Sequence, residues 1–184
     1  SVSGDGELTN NSLVIFGYGG IGCQVAKLGI AFGMRVTGIR RNPQDDEYAD
    51  EVLGLDRFEE LLPLTDYLVL SLPDSSQTRD IINSDILEKI NSSAMLINVG
   101  RGTAINEDDL TDALNDGKIA AAALDTTKVE PLDPNSSLWT TKNCFISAHD
   151  SAHSLLSLGR AFELFFQNIK NIKNGDQIVN LYSE

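Results

Sequence analysis

The sequence predicts an α/β fold, a doubly wound parallel β-sheet with helices on both faces. Short apolar runs typical of strands alternate along the chain with segments typical of helices, which is the pattern of βαβ units. A glycine-rich stretch joins the first apolar run to the first helical segment. No repeat, low-complexity tract or Pro/Gly-rich linker divides the 184 residues, so we expect a single domain over residues 1–184 with a short tail after Gly175.

The alternation assigns each element in order along the chain. Six short apolar runs are predicted to be strands, near residues 12–17, 34–39, 66–71, 94–99, 119–124 and 144–147. Helices are predicted between them at 20–32, 56–63, 83–90 and 106–116, with a long helix after the last strand at 151–173. The acidic stretch 107–109 suits the positive end of the fourth helix dipole. Core or interface positions are expected for the aromatic residues Trp139, Phe162, Phe165 and Phe166.

The charge balance excludes two classes of partner. Fourteen Lys and Arg residues against 27 Asp and Glu residues give a net charge of −13, which repels nucleic-acid phosphates and anionic lipid. No apolar run approaches the ~18 residues that a membrane span needs. We therefore expect neither nucleic acid nor membrane as a partner.

Cysteine usage predicts the compartment. Cys23 falls in a predicted helix and Cys144 in a predicted strand, with no CxxC pair and no metal-ligand spacing. We expect two reduced core thiols in a cytoplasmic protein. The opening residues, Ser-Val-Ser-Gly-Asp-Gly-Glu-Leu, lack an initiator Met and the features of a signal peptide, which indicates a fragment or a processed chain.

The segment VIFGYGGIGCQVA, residues 14–26, has the spacing of a dinucleotide-binding loop of the Rossmann type. In such a loop Gly17 permits the tight turn, Gly19 lets the backbone approach a pyrophosphate, and Gly22 lets the helix pack closely on the strand. The helix N-terminus then offers free N–H groups to the anion. The alternative is a tight turn without a ligand, which three glycines at this spacing disfavour.

The residues that end the second strand indicate which dinucleotide binds. An acidic side chain there would accept hydrogen bonds from the ribose of NAD, whereas this chain has Arg40 and Arg41. Guanidinium groups suit a 2′-phosphate, so the sequence favours NADP, with NAD as the alternative. Two solvated arginines in a surface turn are the competing interpretation.

Other unusual residues also follow predicted strands. Leu72 and Pro73 follow the third strand, the segment 100–102 the fourth, Asp125 the fifth and His149 the sixth. The carboxyl ends of parallel strands meet at one edge of a sheet, where the ligand crevice forms. We therefore expect these residues to converge.

Five segments together resemble a known family. They are GYGGIG (17–22), LPDSSQTRDIIN (72–83), MLINVGRGTAINEDDLTDAL (95–114), AALDTTKVEPL (122–132) and FISAHDSAHS (145–154). In order and spacing they resemble the NAD(P)-binding domain of the D-isomer-specific 2-hydroxyacid dehydrogenases. The resemblance implies NADP(H)-dependent or NAD(H)-dependent reduction of a small 2-keto acid, a homodimer, and no metal.

The same resemblance assigns the site residues. It implies catalytic roles for Arg101, Glu130 and His149. Together with the glycine loop and the arginine pair, it gives as cofactor contacts Gly17, Tyr18, Gly19, Gly20, Ile21, Gly22, Arg40, Arg41, Leu72, Pro73, Thr78, Val99, Gly100 and Asp125. In the family, the residue at Asp125 meets the nicotinamide carboxamide.

The chemistry explains why these residue types are needed. Imidazole carries a proton available near neutral pH, so His149 is the natural donor to the keto oxygen, and His153 is its nearby rival. A carboxylate such as Glu130 favours the charged imidazole, and a fixed cation such as Arg101 holds the anionic substrate and polarises its carbonyl.

Some features depart from the family pattern. Ala148 stands where a Pro usually precedes the histidine, and Asp150 lies beside it in place of small residues. We expect the family's substrate-binding domain, which precedes this one in the family, to be absent from this chain. A dinucleotide-binding module without turnover, acting as a sensor or interaction partner, is therefore the alternative function, and formate or phosphonate oxidation is a third.

Overall fold

The protein contains one parallel sheet of seven strands, here described from a computed structural model over residues 6–180. The strands are β1 (Ser12–Phe16), β2 (Arg35–Ile39), β3 (Glu51–Leu53), β4 (Tyr67–Leu70), β5 (Met95–Asn98), β6 (Ala121–Leu124) and β7 (Cys144–Ile146). The α-helices are α1 (Gly20–Ala31), α2 (Phe58–Leu61), α3 (Ser84–Lys89), α4 (Glu107–Asn115) and α5 (Ser157–Asn174). The strand order β3-β2-β1-β4-β5-β6-β7 confirms the predicted doubly wound parallel sheet.

The central strand β1 is buried on both faces. It pairs with β2 on one side and with β4 on the other, so that Val14 lies opposite Thr37 and Leu68. Leu13 and Ile15 belong to the smaller of two hydrophobic clusters, and Val14 and Phe16 belong to the larger. Because side chains alternate between the faces of a strand, helices must cover both sides of the sheet here.

Chain contacts group the protein into two compact units, which are described separately. The first unit ends at Ala148 and contains the whole sheet, and the second begins at His149 and contains α5. The single domain expected over residues 1–184 stays a prediction.

Three elements differ from the sequence-based expectation. Strand β3 was not predicted, because it has only three residues and lies half-exposed at the sheet edge. The helix expected at 56–63 is three contiguous short pieces, Leu55–Arg57, Phe58–Leu61 and Leu62–Leu64, of which only the second is α-helical. Pro63 has no N–H to continue the α-helical hydrogen bonds beyond Leu61, although Leu62 itself keeps helical backbone (φ −54°, ψ −43°). The long helix begins at Ser157 rather than at 151, after a segment of turns.

The second unit consists of α5 and the residues around it. Gly175 ends the helix in the left-handed conformation (φ 75°), at the residue after which the sequence predicts a short tail. The Asn168 side chain holds this tail through two hydrogen bonds with the backbone of Val179, at 3.0 and 2.9 Å.

The aromatic residues singled out in the sequence are not in the core. Phe162, Phe165 and Phe166 contact one another on α5 and are each more than half exposed, and Trp139 in the first unit is 55% exposed. The predicted core position is therefore wrong for these four residues. The alternative position, at an interface, stays a prediction.

Both cysteines are free thiols that pack against hydrophobic clusters. Cys23 lies half-buried on α1 against the smaller cluster, and Cys144 lies half-buried on β7 against the larger. Burial raises the pKa of the Cys144 thiol to about 11. Burial and the nearby Asp46 carboxylate raise the pKa of the Cys23 thiol.

We expect both thiols to resist alkylation in the folded protein. The thiolate is the reactive species, and a pKa of about 11 leaves roughly 0.1% of Cys144 ionised at pH 8. Iodoacetamide labelling followed by mass spectrometry should show slow reaction at pH 8, faster reaction as the pH rises, and complete reaction of both cysteines in guanidinium. Labelling at pH 8 as rapid as in the unfolded chain would contradict this expectation.

Candidate functional site

The loop between β1 and α1 has backbone geometry that requires glycine. Gly17 adopts φ +103°, and a Cβ on it would lie 2.6 Å from the Ser71 carbonyl oxygen. A Cβ on Gly22 would lie 2.8 Å from the Gly17 carbonyl oxygen. By contrast, a Cβ on Gly19 would meet nothing within 4 Å. Gly17 and Gly22 thus serve the fold, and Gly19 faces the open space that a bound pyrophosphate would need.

The N-terminus of α1 presents unused backbone donors to this space. Its N-cap is Gly19, and its first hydrogen bond runs from the Cys23 amide to the Gly19 carbonyl at 2.9 Å. The amides of Gly20, Ile21 and Gly22 therefore precede the helical hydrogen-bond ladder. The first turn carries no acidic residue, so the positive end of the helix dipole is available to an anion.

Tyr18 anchors this loop through its side chain. The ring is 3% exposed and packs over Gly38 of β2, where any Cβ would collide with it. The amides of Gly17 and Tyr18 both donate to the Ile39 carbonyl, at 3.0 and 2.9 Å. Burial and the neighbouring Asp46 carboxylate raise the pKa of the Tyr18 hydroxyl. Because the Tyr18 side chain is buried, any contact with a cofactor involves its backbone, and this contact stays a prediction.

Arg40 and Arg41 are the two residues that directly follow β2. The Arg40 amide donates to the Leu53 carbonyl at 3.0 Å, and Arg41 Nη2 donates to the side-chain oxygen of Gln77 at 3.2 Å. Within residues 6–180 no carboxylate forms an ion pair with either arginine. In a chain of net charge −13, two such adjacent cations make a local site for an anion.

The loop after β4 is a closed turn. The Thr78 hydroxyl donates to the Pro73 carbonyl at 2.6 Å and accepts from the Ser75 amide at 3.0 Å. Leu72 at the start of this loop is buried, and a Cβ on Gly100 would lie 2.7 Å from its backbone nitrogen. The predicted cofactor residues after β4 and β5 are therefore in direct contact through their backbones.

The turn that carries Arg101 is held by Asn98, a fully buried side chain at the end of β5. Its amide oxygen accepts from the Gly100 amide at 3.0 Å, and its nitrogen donates to the Arg101 carbonyl at 3.0 Å. Val99 lies between them and donates its amide to the Leu70 carbonyl at 3.0 Å. The Arg101 side chain is exposed, with Nη1 bonded to the Gly100 carbonyl at 3.0 Å. Sequence reasoning missed Asn98, although a polar residue ending an apolar run was the available signal.

Asp74 adds a negative charge near Arg101. Its carboxylate accepts from Arg79 at 3.1 and 3.2 Å and from the Thr103 hydroxyl at 3.0 Å. The Arg79 guanidinium and the Thr103 hydroxyl hold the pKa of the Asp74 carboxyl below its usual value, and the charge of Arg101 contributes. This pairing links the loops after β4 and β5 and was also missed.

Asp125 and Glu130 lie in the loop that follows β6. Asp125 is 7% exposed and accepts a 2.6 Å hydrogen bond from the Ser147 hydroxyl. Glu130 is exposed and accepts from the Thr127 amide at 3.2 Å. A Cβ on Gly102 would collide with the Thr127 carbonyl, so the Arg101 turn packs directly on this loop. Arg101 and Asp125 thus sit on adjoining loops at the carboxyl edge of the sheet, as the sequence predicted, and Glu130 lies on the same loop as Asp125.

His149 is the first residue of the second unit. It lies three positions beyond Ile146, the last residue of β7, so that it follows this strand as the sequence predicted. Its backbone is left-handed (φ 53°) and its side chain is exposed. His153, the rival candidate, is also exposed, and its amide donates to the Asp150 carbonyl at 2.8 Å.

The arrangement in the first unit fits a dinucleotide. Open space at Gly19, free amides at the start of α1 and two uncompensated arginines after β2 lie at the switch point of an open parallel sheet. Among the described residues no group of His, Cys, Asp and Glu is arranged to hold a metal ion. Nor does any helix in residues 6–180 have the length and apolarity to cross a membrane.

Comparison with known proteins decides the family. The domain described as "D-isomer specific 2-hydroxyacid dehydrogenase, NAD binding domain" matches residues 2–151. The chain belongs to the D-isomer-specific 2-hydroxyacid dehydrogenase family. This confirms the resemblance drawn from the five sequence segments.

Relatives of the 2-hydroxyacid dehydrogenase family include named reductases. The chain is 33% identical to a hydroxypyruvate reductase of Blautia hydrogenotrophica, covering 94% of this chain and 53% of that protein. It is 38% identical to the human glyoxylate reductase/hydroxypyruvate reductase, covering 77% of this chain and 44% of that protein. The chain thus spans about half the length of the curated relatives it matches.

Solved structures of the family have the same fold. A family member from Aeromonas salmonicida superposes with a TM-score of 0.86 at 34% identity, covering 97% of this chain and 57% of that one. An NADPH-dependent glyoxylate/hydroxypyruvate reductase from Sinorhizobium meliloti, in complex with NADP and sulfate, also gives 0.86 at 27% identity, with the same coverage.

Proposed function

We propose that this chain is the cofactor-binding domain of an NADP(H)-dependent reductase of small 2-keto acids. The observation that carries the proposal is that a member of this family retains Arg101, Glu130 and His149 in the segments after β5, β6 and β7. A module that only binds a dinucleotide has no need of a proton donor. The relatives named as glyoxylate and hydroxypyruvate reductases support a two- or three-carbon keto acid as substrate.

Each catalytic side chain has a defined task in this proposal. The bound nicotinamide supplies the hydride to the keto carbon. Arg101 binds the substrate carboxylate, and its fixed charge stabilises the negative charge that develops on the keto oxygen. His149 donates the proton to that oxygen, and Glu130 stabilises the charged imidazole before transfer.

The cofactor-binding residues divide between the two ends of the dinucleotide. The amides of Gly20 and Ile21 hold the pyrophosphate at the start of α1, and Arg40 and Arg41 hold the 2′-phosphate. Asp125 accepts from the nicotinamide carboxamide. Leu72, Pro73, Thr78, Val99 and Gly100 line the crevice between these ends.

Assembly and location complete the proposal. We propose a homodimer in the cytoplasm, supported by the family relationship, by exposed phenylalanines such as Phe162, and by two thiols that are not paired with each other. Neither nucleic acid nor a membrane is proposed as a partner, because the net charge of −13 repels both.

The cofactor preference can be measured directly on this chain. We expect NADPH to bind at least about tenfold more tightly than NADH, because charge-assisted hydrogen bonds to a phosphate contribute roughly 1.5–3 kcal/mol. Isothermal titration at increasing salt should show NADPH affinity falling more steeply than NADH affinity, since ions screen the arginines. Equal affinities, or tighter binding of NADH, would refute the assignment of Arg40 and Arg41.

A further inference from the structure

The hydrogen bond between Arg41 and Gln77 joins two loops on opposite sides of the glycine-rich turn. Strands β2 and β4 flank β1, and Arg41 and Gln77 belong to the segments that leave their carboxyl ends. The 3.2 Å bond from Arg41 Nη2 to Gln77 Oε1 therefore connects segments on either side of the strand that leads into Gly17. This bond joins the Arg41 guanidinium to the carboxyl edge of the sheet, where the dinucleotide crevice is proposed.

The side-chain partner of Arg41 is neutral, which distinguishes this arginine from the cations that form ion pairs. Five other cations each pair with a carboxylate: Arg57, Arg79, Lys89, Lys118 and Lys128. An amide oxygen accepts a hydrogen bond without cancelling the cationic charge. Because a guanidinium has five N–H donors, the single bond to Gln77 leaves most of the fork available to an anion.

The backbone on the Gln77 side is itself constrained. Thr78, the next residue, bonds through its hydroxyl to Pro73 and Ser75, and its amide donates to the Ser75 carbonyl at 3.1 Å. The ion pair between Arg79 and Asp74 closes the same turn. Gln77 is therefore presented from a preformed turn, so that little backbone entropy is lost when its side chain bonds to Arg41.

We propose that Gln77 is a positioning residue for cofactor choice. It holds Arg41 in place while leaving its charge uncancelled, which prepares the guanidinium for the 2′-phosphate of NADP(H). The inference rests on the proposed NADP(H) preference, and it assigns to the loop after β4 a part in selecting the phosphate that binds beside β2.

Affinities of nucleotide fragments test the inference without any turnover. Calorimetric titration with 2′,5′-ADP and with 5′-ADP compares the nucleotide with and without the 2′-phosphate, and NADPH and NADH repeat the comparison. We expect Gln77→Ala to weaken 2′,5′-ADP about threefold and Gln77→Glu at least about tenfold, since the new carboxylate neutralises Arg41. Binding of 5′-ADP should change less than about twofold in both variants.

Two further variants separate positioning from simple charge. Ser76→Glu adds the same charge at the neighbouring exposed position, where no contact to Arg41 is present, and should weaken 2′,5′-ADP less than about threefold. In an Arg41→Ala background, the effect of Gln77→Glu should fall to that of Ser76→Glu.

The outcomes distinguish this inference from the cofactor proposal beneath it. If the unmodified chain does not prefer 2′,5′-ADP, or if Arg41→Ala leaves the preference unchanged, the NADP(H) proposal itself fails. If Arg41→Ala abolishes the preference but Gln77→Ala changes nothing and Gln77→Glu equals Ser76→Glu, Arg41 selects the phosphate unaided and the role of Gln77 is refuted. Thermal melting of each variant controls for unfolding.

Discussion

Replacing His149 by alanine is expected to lower kcat for 2-keto acid reduction by about 10²- to 10⁴-fold, the usual contribution of a positioned general acid. The physical reason is the loss of the proton that the keto oxygen must receive as hydride reaches the carbon. NADPH affinity should change little, because the glycine loop and the arginines after β2 are untouched. The measurement is NADPH oxidation with glyoxylate and hydroxypyruvate, in a protein that joins this chain to a substrate-binding domain of the family.

The matched control is His153→Ala. Both residues are exposed histidines of the second unit, four positions apart, so a general effect of removing an imidazole would appear in both variants. We expect His153→Ala to retain most of the activity. Comparable losses in the two variants would withdraw the assignment of His149. An inactive unmodified protein that binds NADPH tightly would favour the binding-module function instead.

A second large effect is expected at Gly102. A methyl group there would enter the backbone carbonyl of Thr127, which cannot move without displacing the loop after β6. Overpacking against backbone costs about 3 kcal/mol or more, so Gly102→Ala should greatly reduce the free energy of unfolding. Urea denaturation followed by circular dichroism measures this change.

Gly19→Ala gives the matched comparison. A methyl group at Gly19 meets nothing within 4 Å, and its backbone (φ −114°, ψ −153°) is extended, so stability should be unchanged. Because the methyl would occupy space needed by the pyrophosphate, NADPH affinity should fall at least about tenfold. A stable Gly102→Ala variant, or a Gly19→Ala variant with full affinity, would contradict this division between glycines of the fold and glycines of the site.

The sequence predicted most of the sheet because its signals are local. Six of seven strands were found from apolar runs such as VIF and YLVL, which are buried on both faces and so read as continuous hydrophobic stretches. Strand β3 forms only because β2 offers it an edge, and its three residues carry no pattern of their own. The late start of α5 likewise reflects turns after His149 that apolar spacing does not encode.

The candidate site was predictable where residue type alone carries the chemistry. Gly17 was predictable because its position needs a positive φ, which glycine adopts readily. The arginines at the end of β2 were predictable because their charge suits a phosphate. Asn98, Asp74 and Gln77 were missed because their importance lies in partners distant in space or in backbone groups, which only the folded chain reveals. The single residue Asn98 organises the turn of Arg101, yet in sequence it is an ordinary strand end.

The close backbone contacts at Gly100 and Gly102 have a mechanical consequence. The backbone of Leu72 contacts Gly100, and the backbone of Thr127 contacts Gly102. Because glycine has no side chain, no flexible side chain separates these paired segments. The loops after β4, β5 and β6 are thereby packed into one rigid unit. This unit carries Arg101, Asp125 and Glu130. For the proposed reductase we therefore expect these three loops to stay in place when a substrate binds, and we expect enclosure of the substrate to come from other segments of the protein.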